Sequence, residues 1–296
     1  MSKVASAGYI GKVCSFEARA AVVRVTLATG PSNLSTSLPS PSAFYLGCAG
    51  WSLPREQWPA FPNEGTHLQR YSARFPAVEI NSSFYRPHRP ATYAKWADSV
   101  PPGFRFSVKV PKQITHERRL RDCEGLVDEF LGQCSQLGEK LGCLLIQLPP
   151  SLAFEATAEG AFFKALRDRY QGHAVLEPRH PSWLAEHVTA LLQDEHISRV
   201  AADPSPLPGC GQPAGWRGVR YYRLHGSPRI YHSSYEDIWL GQLAGQLNSE
   251  PDTPTWCIFD NTASGAAIPD ALRLETLMGS SILAPTIKDD LPPVQP

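Results

Sequence analysis

Eight short apolar runs recur along this chain, and no other feature limits its fold so strongly. They are FYLGCAG (44–50), VEIN (78–81), FRFSVKV (104–110), CLLIQLP (143–149), HAVLEP (173–178), SRVAAD (198–203), VRYYRLHG (219–226) and TWCIFDN (255–261). Successive starts lie 21 to 39 residues apart, which is the length of a strand plus the crossover helix that returns to the next strand. Helical patterns fill most intervals. The clearest is the stripe Leu126, Val127, Phe130, Leu131, Cys134, Leu137 and Leu141, whose three-to-four spacing puts one apolar face against a sheet. Weaker patterns occupy 66–75, 89–98, 159–170, 182–195, 235–247 and 268–278.

This rhythm predicts an α/β protein, a TIM-type (β/α)8 parallel barrel. A doubly wound sheet competes, but GCAGWS after the first run is not a glycine fingerprint opening a helix, so a dinucleotide phosphate site is missing. Residues 204–218, PSPLPGCGQPAGWRG, hold four Pro and four Gly. They exclude a helix, so the barrel is expected to lack one outer helix between strands 6 and 7.

Residues 1–42 carry eight serines, four basic residues and one acid, and read as an N-terminal tail outside the fold. The single domain is placed at 43–290, with 291–296 as a C-terminal tail. Twenty-eight basic residues balance twenty-eight acidic ones, so no overall field draws the chain to nucleic acid or to a membrane surface. The longest uncharged apolar stretch, 141–154, is too short for a bilayer and is broken by Pro149 and Pro150. Seven scattered cysteines without a CxxC pair read as reduced thiols of a cytoplasmic protein.

Nearly every run ends on a polar side chain: Asn81, Lys109, Gln147, Glu177, Asp203, His225, and Asp260 with Asn261. Side chains two apart on a strand share a face, so Glu79 accompanies Asn81, Ser107 accompanies Lys109, and Arg223 accompanies His225. Arg179 follows Glu177 in the same way. A charged strand end is ordinary by itself. Arg223, however, lies inside VRYYRLHG, where an unpaired buried charge is costly. It must pair with another member of the set or with a ligand.

In a parallel barrel these ends converge on one face. The set then holds the acids Glu79, Glu177, Asp203 and Asp260, the cations Lys109, Arg179 and Arg223, and the histidines His116, His180 and His225. Interleaved cations favour an anionic ligand such as a phosphate or carboxylate. Among the aromatics at these loops, Trp51 and Tyr85 could stack on a sugar or base; Trp183, Tyr231, Tyr235 and Trp239 read as packing. The basic run 111–121 (PKQITHERRLR) is diluted by Glu117, Asp122 and Glu124, and reads as a solvated helix start rather than a nucleic-acid patch.

The blocks GCAGWS, VEINSSFYR, FSVKVPKQITH, LGCLLIQLPPS, EPRHPSW, YYRLHG and FDNTASGAA stand here in order. From about 44 to 280 the chain resembles the YecE-like family, a family of unknown function with a TIM-type barrel. The resemblance marks Glu79, Asn81, Tyr85, Lys109, His116, Gln147, Glu177, Arg179, His180, Asp203, Arg223, His225 and Asn261 as the family's characteristic polar positions. Two departures stand out. Cys48 and Ala49 replace the hydroxyl residues usual in the first block, and Asp260 stands where many members have Asn.

The resemblance supplies no reaction, so the expected function rests on the residues. It is an enzyme acting by acid and base chemistry on a small anionic substrate, phosphorylated sugar or nucleotide-like. Glu177 is the expected acid or base, Arg179, Lys109 and Arg223 the anion holders, and His225 or His180 the second proton carrier, with Asp203 beside them. No cofactor is assigned. Two alternatives stand beside this reading. One is a divalent-metal hydrolase or nuclease, reminiscent of endonuclease IV-type barrels, with Glu79, Glu177, Asp203, His225 and Asp260 as ligands. The other is a non-catalytic protein that binds a ligand or RNA in the same pocket.

Overall fold

A computed structural model describes residues 44–249 and 252–279; the expected tails at 1–42 and 291–296 lie outside them. Ten strands form: β1 (Phe44–Cys48), β2 (Ala77–Ile80), β3 (Arg105–Lys109), β4 (Leu141–Gln147), β5 (His173–Glu177), β6 (Ile197–Arg199), β7 (Ala201–Asp203), β8 (Ala214–Gly215), β9 (Arg220–Leu224) and β10 (Thr255–Phe259). Seven α-helices alternate with them: α1 (His67–Ser72), α2 (Pro90–Asp98), α3 (Glu124–Cys134), α4 (Ala156–Arg169), α5 (Glu186–Asp194), α6 (Asp237–Asn248) and α7 (Ala267–Met278). Each apolar run contains a strand, and the sixth contains two. No helix lies between β7 and β9, as the Pro and Gly content of 204–218 requires.

The strands make two sheets, ordered β1-β10-β9-β7 and β2-β3-β4-β5-β6-β8. All pairs are parallel except β6 with β8. The α/β class holds, but no continuous ladder joins the two sheets, so a complete eight-stranded barrel is not what the pairing describes. The break falls inside the sixth run. β8 folds back and takes the free edge of β6, pairing Ser198 with Gly215 and Arg199 with Ala214. That edge is then closed to β9, which pairs instead with β7. Val200 sits at the change-over, its N–H still donating to Leu176 O at 2.9 Å.

At the other junction a side chain stands in for a ladder. The Tyr71 hydroxyl of α1 accepts from Cys48 N at 2.8 Å and donates to Ala77 O at 2.9 Å, so one phenol satisfies a donor of β1 and an acceptor of β2. Gly47 makes the approach sterically feasible: a Cβ there would meet Ala77 O at 2.1 Å. α1 itself starts on a capping box, with Gln69 N donating to Thr66 Oγ1 and Thr66 N to Gln69 Oε1.

Alternation along the strands divides the interior in two. Leu46, Val78, Ile80, Val108, Leu144, Ile146, Leu176, Leu224 and Phe259 pack in one core with Phe130, Phe163, Leu192, Leu240 and Leu274 from the helices. The alternate residues Ala77, Cys143, Leu145, Val175, Val200, Val219, Tyr221, Trp256 and Ile258 form a second, smaller cluster on the opposite strand faces. Burying each large aliphatic or aromatic side chain contributes about 1.5–3 kcal/mol. The second face carries the candidate site.

Two expected helical segments differ. The stripe from Leu126 to Leu141 is helical only to Cys134; a 3-10 stretch then carries Gly138 at φ 57° and ψ −135°, and Leu141 already belongs to β4. The basic run does not start a helix. Gln113–Glu117 forms one wide π turn, followed by Arg119, Leu120 and Asp122 at positive φ, and Lys112 pairs with Glu117 at 2.9 Å. Among the described residues no helix is long and apolar enough to cross a membrane.

Candidate functional site

β9 presents Tyr221 and Arg223 on the second face, two residues apart. Arg223 is fully buried, and its guanidinium binds three carboxylates. Nε and Nη2 donate to Glu79 of β2 at 3.0 and 2.7 Å, Nη1 to Glu177 of β5 at 2.6 Å, and Nη2 also to Asp260 after β10 at 2.9 Å. Tyr221 donates its hydroxyl to Glu79 Oε2 at 2.9 Å and lies 2.8 Å from Ser107 Oγ. Strand alternation therefore brings carboxylates from three elements to one cation on a fourth.

Further donors saturate the carboxylates. Glu177 Oε1 accepts from Gln147 Nε2 at 3.2 Å and from Arg179 Nε and Nη2 at 3.3 and 3.0 Å. Asp260 accepts from Asn81 Nδ2 at 3.5 Å, and its Oδ2 lies 3.0 Å from His225 Nδ1. His225 Nε2 lies 3.3 Å from Glu177 Oε1, an ionic contact without the geometry of a hydrogen bond.

Burial alone raises a carboxyl pKa and lowers that of a histidine. Here the neighbours outweigh burial. Arg223 and His225 hold Glu177 well below its ordinary range, and Arg223, with His225, lowers Asp260. Burial pushes His225 down, but Glu177 and Asp260 raise it more, and the net shift is upward. Arg223 likewise stays charged despite its burial, held by Asp260, Glu79 and Glu177. Three carboxylates face two guanidiniums, so a protonated His225 brings the group to neutrality.

Lys109, at the end of β3, is the exception. It is 5% exposed, yet among the described residues its Nζ has neither a hydrogen bond nor a carboxylate within salt-bridge reach. It rests over the Phe84 ring, 4.2 Å from the centroid. Burial, and then the charge of Arg223, push its pKa down to about 8. His116 is near enough to feel it: burial lowers the imidazole pKa first, and the charges of Lys109 and Arg179 lower it further. His116 Nδ1 lies 2.9 Å from Thr115 Oγ1, and its ring packs edge-on against Phe84 at 4.9 Å. Phe84 also lines a cavity of about 260 Å³ with Tyr85, Gln113 and Glu129.

The structure thus brings together Glu79, Asn81, Gln147, Glu177, Arg179, Arg223, His225 and Asp260, with Lys109 and His116 beside them. Other expected members stand apart. Asp203 pairs with Leu224, so its side chain takes the face opposite Arg223; it borders a cavity of about 190 Å³ against α6 with Trp239 and Gln242. His180 caps the turn Pro181–Leu184 by accepting from Ser182 N at 3.3 Å. Asn261 donates to Ser233 O and Asp270 Oδ2 at 2.9 and 2.7 Å, tying its loop to α7. Trp51 packs edge-on against Trp96 at 5.1 Å. Tyr85 is 70% exposed and touches Phe84. Sequence reasoning did not single out Tyr221, although it precedes Arg223 by the strand period. Phe84 carries no signal of its own.

The ligand set of a divalent metal does not fit this arrangement. Glu79, Glu177 and Asp260 already bind Arg223, Asp203 faces the other way, and among the described residues no three His, Cys, Asp or Glu are grouped to hold an ion.

A parallel α/β fold whose inner strand faces gather three carboxylates on one buried arginine defines the structural class. The chain belongs to the family described as protein of unknown function DUF72, whose model matches residues 45–295. It is 30% identical over 169 residues to UPF0759 protein YecE of Escherichia coli K12, covering 55% of this chain and 60% of that one. It is 28% identical over 149 residues to UPF0759 protein YunF of Bacillus subtilis, covering 48% and 52%. The matches thus span about half to three fifths of these relatives. A crystal structure of a DUF72 family protein from Thermotoga maritima superposes with a TM-score of 0.65 at 26% identity, over 80% of this chain and 99% of that one. One from Enterococcus faecalis gives 0.65 at 20% identity over 80% and 98%, which speaks to the fold alone.

Proposed function

We propose that this protein is an enzyme that binds a small anionic substrate, phosphorylated sugar or nucleotide-like, at the carboxyl ends of its parallel strands and transfers protons there. In this reading the two sheets curl into one barrel whose mouth gathers Lys109, Arg179 and His116. The observation that carries it is Lys109. Its ammonium has no hydrogen-bonded partner among the described residues and is opposed by the charge of Arg223, and an anion placed between Lys109 and Arg179 would offset that repulsion in a site whose other charges already cancel.

The roles then shift from those the sequence suggested. Glu177 is ionised and has both oxygens occupied, so it orients Arg223, Arg179 and His225 instead of acting as a free acid. His225, whose affinity for a proton is raised by Glu177 and Asp260 and whose Nε2 is not committed to a hydrogen bond, is the proton donor.

The test is thermal unfolding of the full chain with inorganic phosphate, set against equal ionic strength of chloride. Ligand binding to the folded state stabilises it by mass action. Wild type should gain melting temperature with phosphate and Lys109→Met should not. An equal response from both proteins rejects the anion site.

A further inference from the structure

We infer that Lys109 is a nucleophilic amine that forms an imine with a carbonyl group of the substrate. This rests on the anion-site reading above and narrows the substrate class to small anions bearing an aldehyde or ketone.

Lysines elsewhere in the described residues are paired, hydrogen-bonded or exposed. Lys112 pairs with Glu117, Lys140 donates to Ala97 O and Val100 O at 2.5 and 2.7 Å, and Lys95 and Lys164 lie exposed. Lys109 differs from them because its stem is buried and its nitrogen, without a hydrogen bond, lies close enough to Arg223 to be repelled by it. The Phe84 ring beneath it favours the charged form, and burial with Arg223 outweighs that. Imine chemistry needs an unprotonated amine, because the lone pair makes the bond. Desolvation in an apolar pocket beside another cation is the arrangement that supplies one.

The charges facing the amine come from several elements. Arg223 of β9 opposes its protonation, Glu79 of β2, Glu177 of β5 and Asp260 after β10 favour it, and His116 of the π turn is coupled to it. Burial and Arg223 prevail, leaving the pKa at about 8. Roughly a tenth of the amine is then neutral at pH 7, against less than about a thousandth for an exposed lysine.

The step balances without a redox partner. The Nζ lone pair attacks the carbonyl carbon and a C–N bond forms, while the carbonyl oxygen takes up a proton to give a carbinolamine. The nitrogen then forms C=N as the C–O bond breaks, and the two amine hydrogens leave with that oxygen as water. In this step His225, held between Glu177 and Asp260, gives one proton to the departing oxygen and regains one from the nitrogen. The substrate's carboxylate or phosphate lies against Arg179.

The experiment is reductive trapping. The full chain is incubated with glyoxylate, pyruvate or glyceraldehyde 3-phosphate and sodium borohydride, which reduces any imine to a stable secondary amine, and modified peptides are mapped by mass spectrometry. At least one of these carbonyl anions should label Lys109 at least tenfold faster than Lys95 or Lys164, with a rate that climbs as pH rises through about 8. Labelling of Lys109 no faster than of the exposed lysines with all three overturns the inference. Phosphate separates this from the broader reading. If phosphate stabilises wild type and not Lys109→Met but no adduct forms at Lys109, the imine fails and the anion site stands. If the adduct forms and phosphate neither slows it nor stabilises the protein, the amine is nucleophilic and the anion reading fails.

Discussion

Arg223 and Lys109 are both buried cations on the inner faces of strands, and their surroundings are opposite. Arg223 donates to three carboxylates, with Tyr221 and Ser107 extending the network. The Lys109 ammonium rests over the face of Phe84 and, among the described residues, makes no hydrogen bond to a carboxylate. The three carboxylates around Arg223 are paired without a ligand, so they serve to hold β2, β5, β9 and the end of β10 together. The amine next to them has no hydrogen-bonded partner among the described residues, and a charge left without one is where a ligand gains most. A site of this kind separates its skeleton from its working group.

The most damaging way to probe the contrast is Arg223→Met, which strands three carboxylates. Stability should fall by about 3–5 kcal/mol in urea unfolding, and a loss below about 1 kcal/mol would show that the hub holds nothing together. Glu79→Gln keeps a neutral acceptor for Arg223 and should lose less, about 1–3 kcal/mol.

pH sharpens the difference, because the two regions respond in opposite directions. Glu177 and Asp260 have folded pKa values below their unfolded ones, so their contribution is present above about pH 4 and is lost as pH falls through the folded values. Arg223→Met should flatten that acid limb. Lys109 titrates near 8 when folded and near 10.4 when unfolded. Between those values the unfolded chain binds more protons, so stability should rise with pH across that window. Lys109→Met should abolish the rise. Because the penalty of burying the ammonium is fully present below about pH 8, the same substitution should be stabilising at pH 7, and the gain over wild type should shrink as pH rises toward about 10.

Much of this was legible in the sequence because strand period is a strong signal. The eight runs located the strands, and Arg223 inside VRYYRLHG announced a buried charge that needed acids, among them Glu79. The same logic misplaced Asp203: in SRVAAD the change of sheet at Val200 sets which residues face the centre, and composition does not reveal it. β8 was invisible, since two residues carry no period. His180 and Asn261 sit where a catalytic group could, but their bonds run to neighbouring backbone or to α7, and a rotamer is not written in spacing. The exclusion of a helix at 204–218 succeeded because proline and glycine act locally.

The two junctions between the sheets are unlike in kind. At Val200 the polypeptide itself passes from one sheet to the other through covalent bonds, whereas between β1 and β2 the fastening is the Tyr71 hydroxyl. A single hydrogen-bonded phenol yields more readily than continuous strand, so the amide of Cys48 should exchange its hydrogen with solvent well before that of Val200.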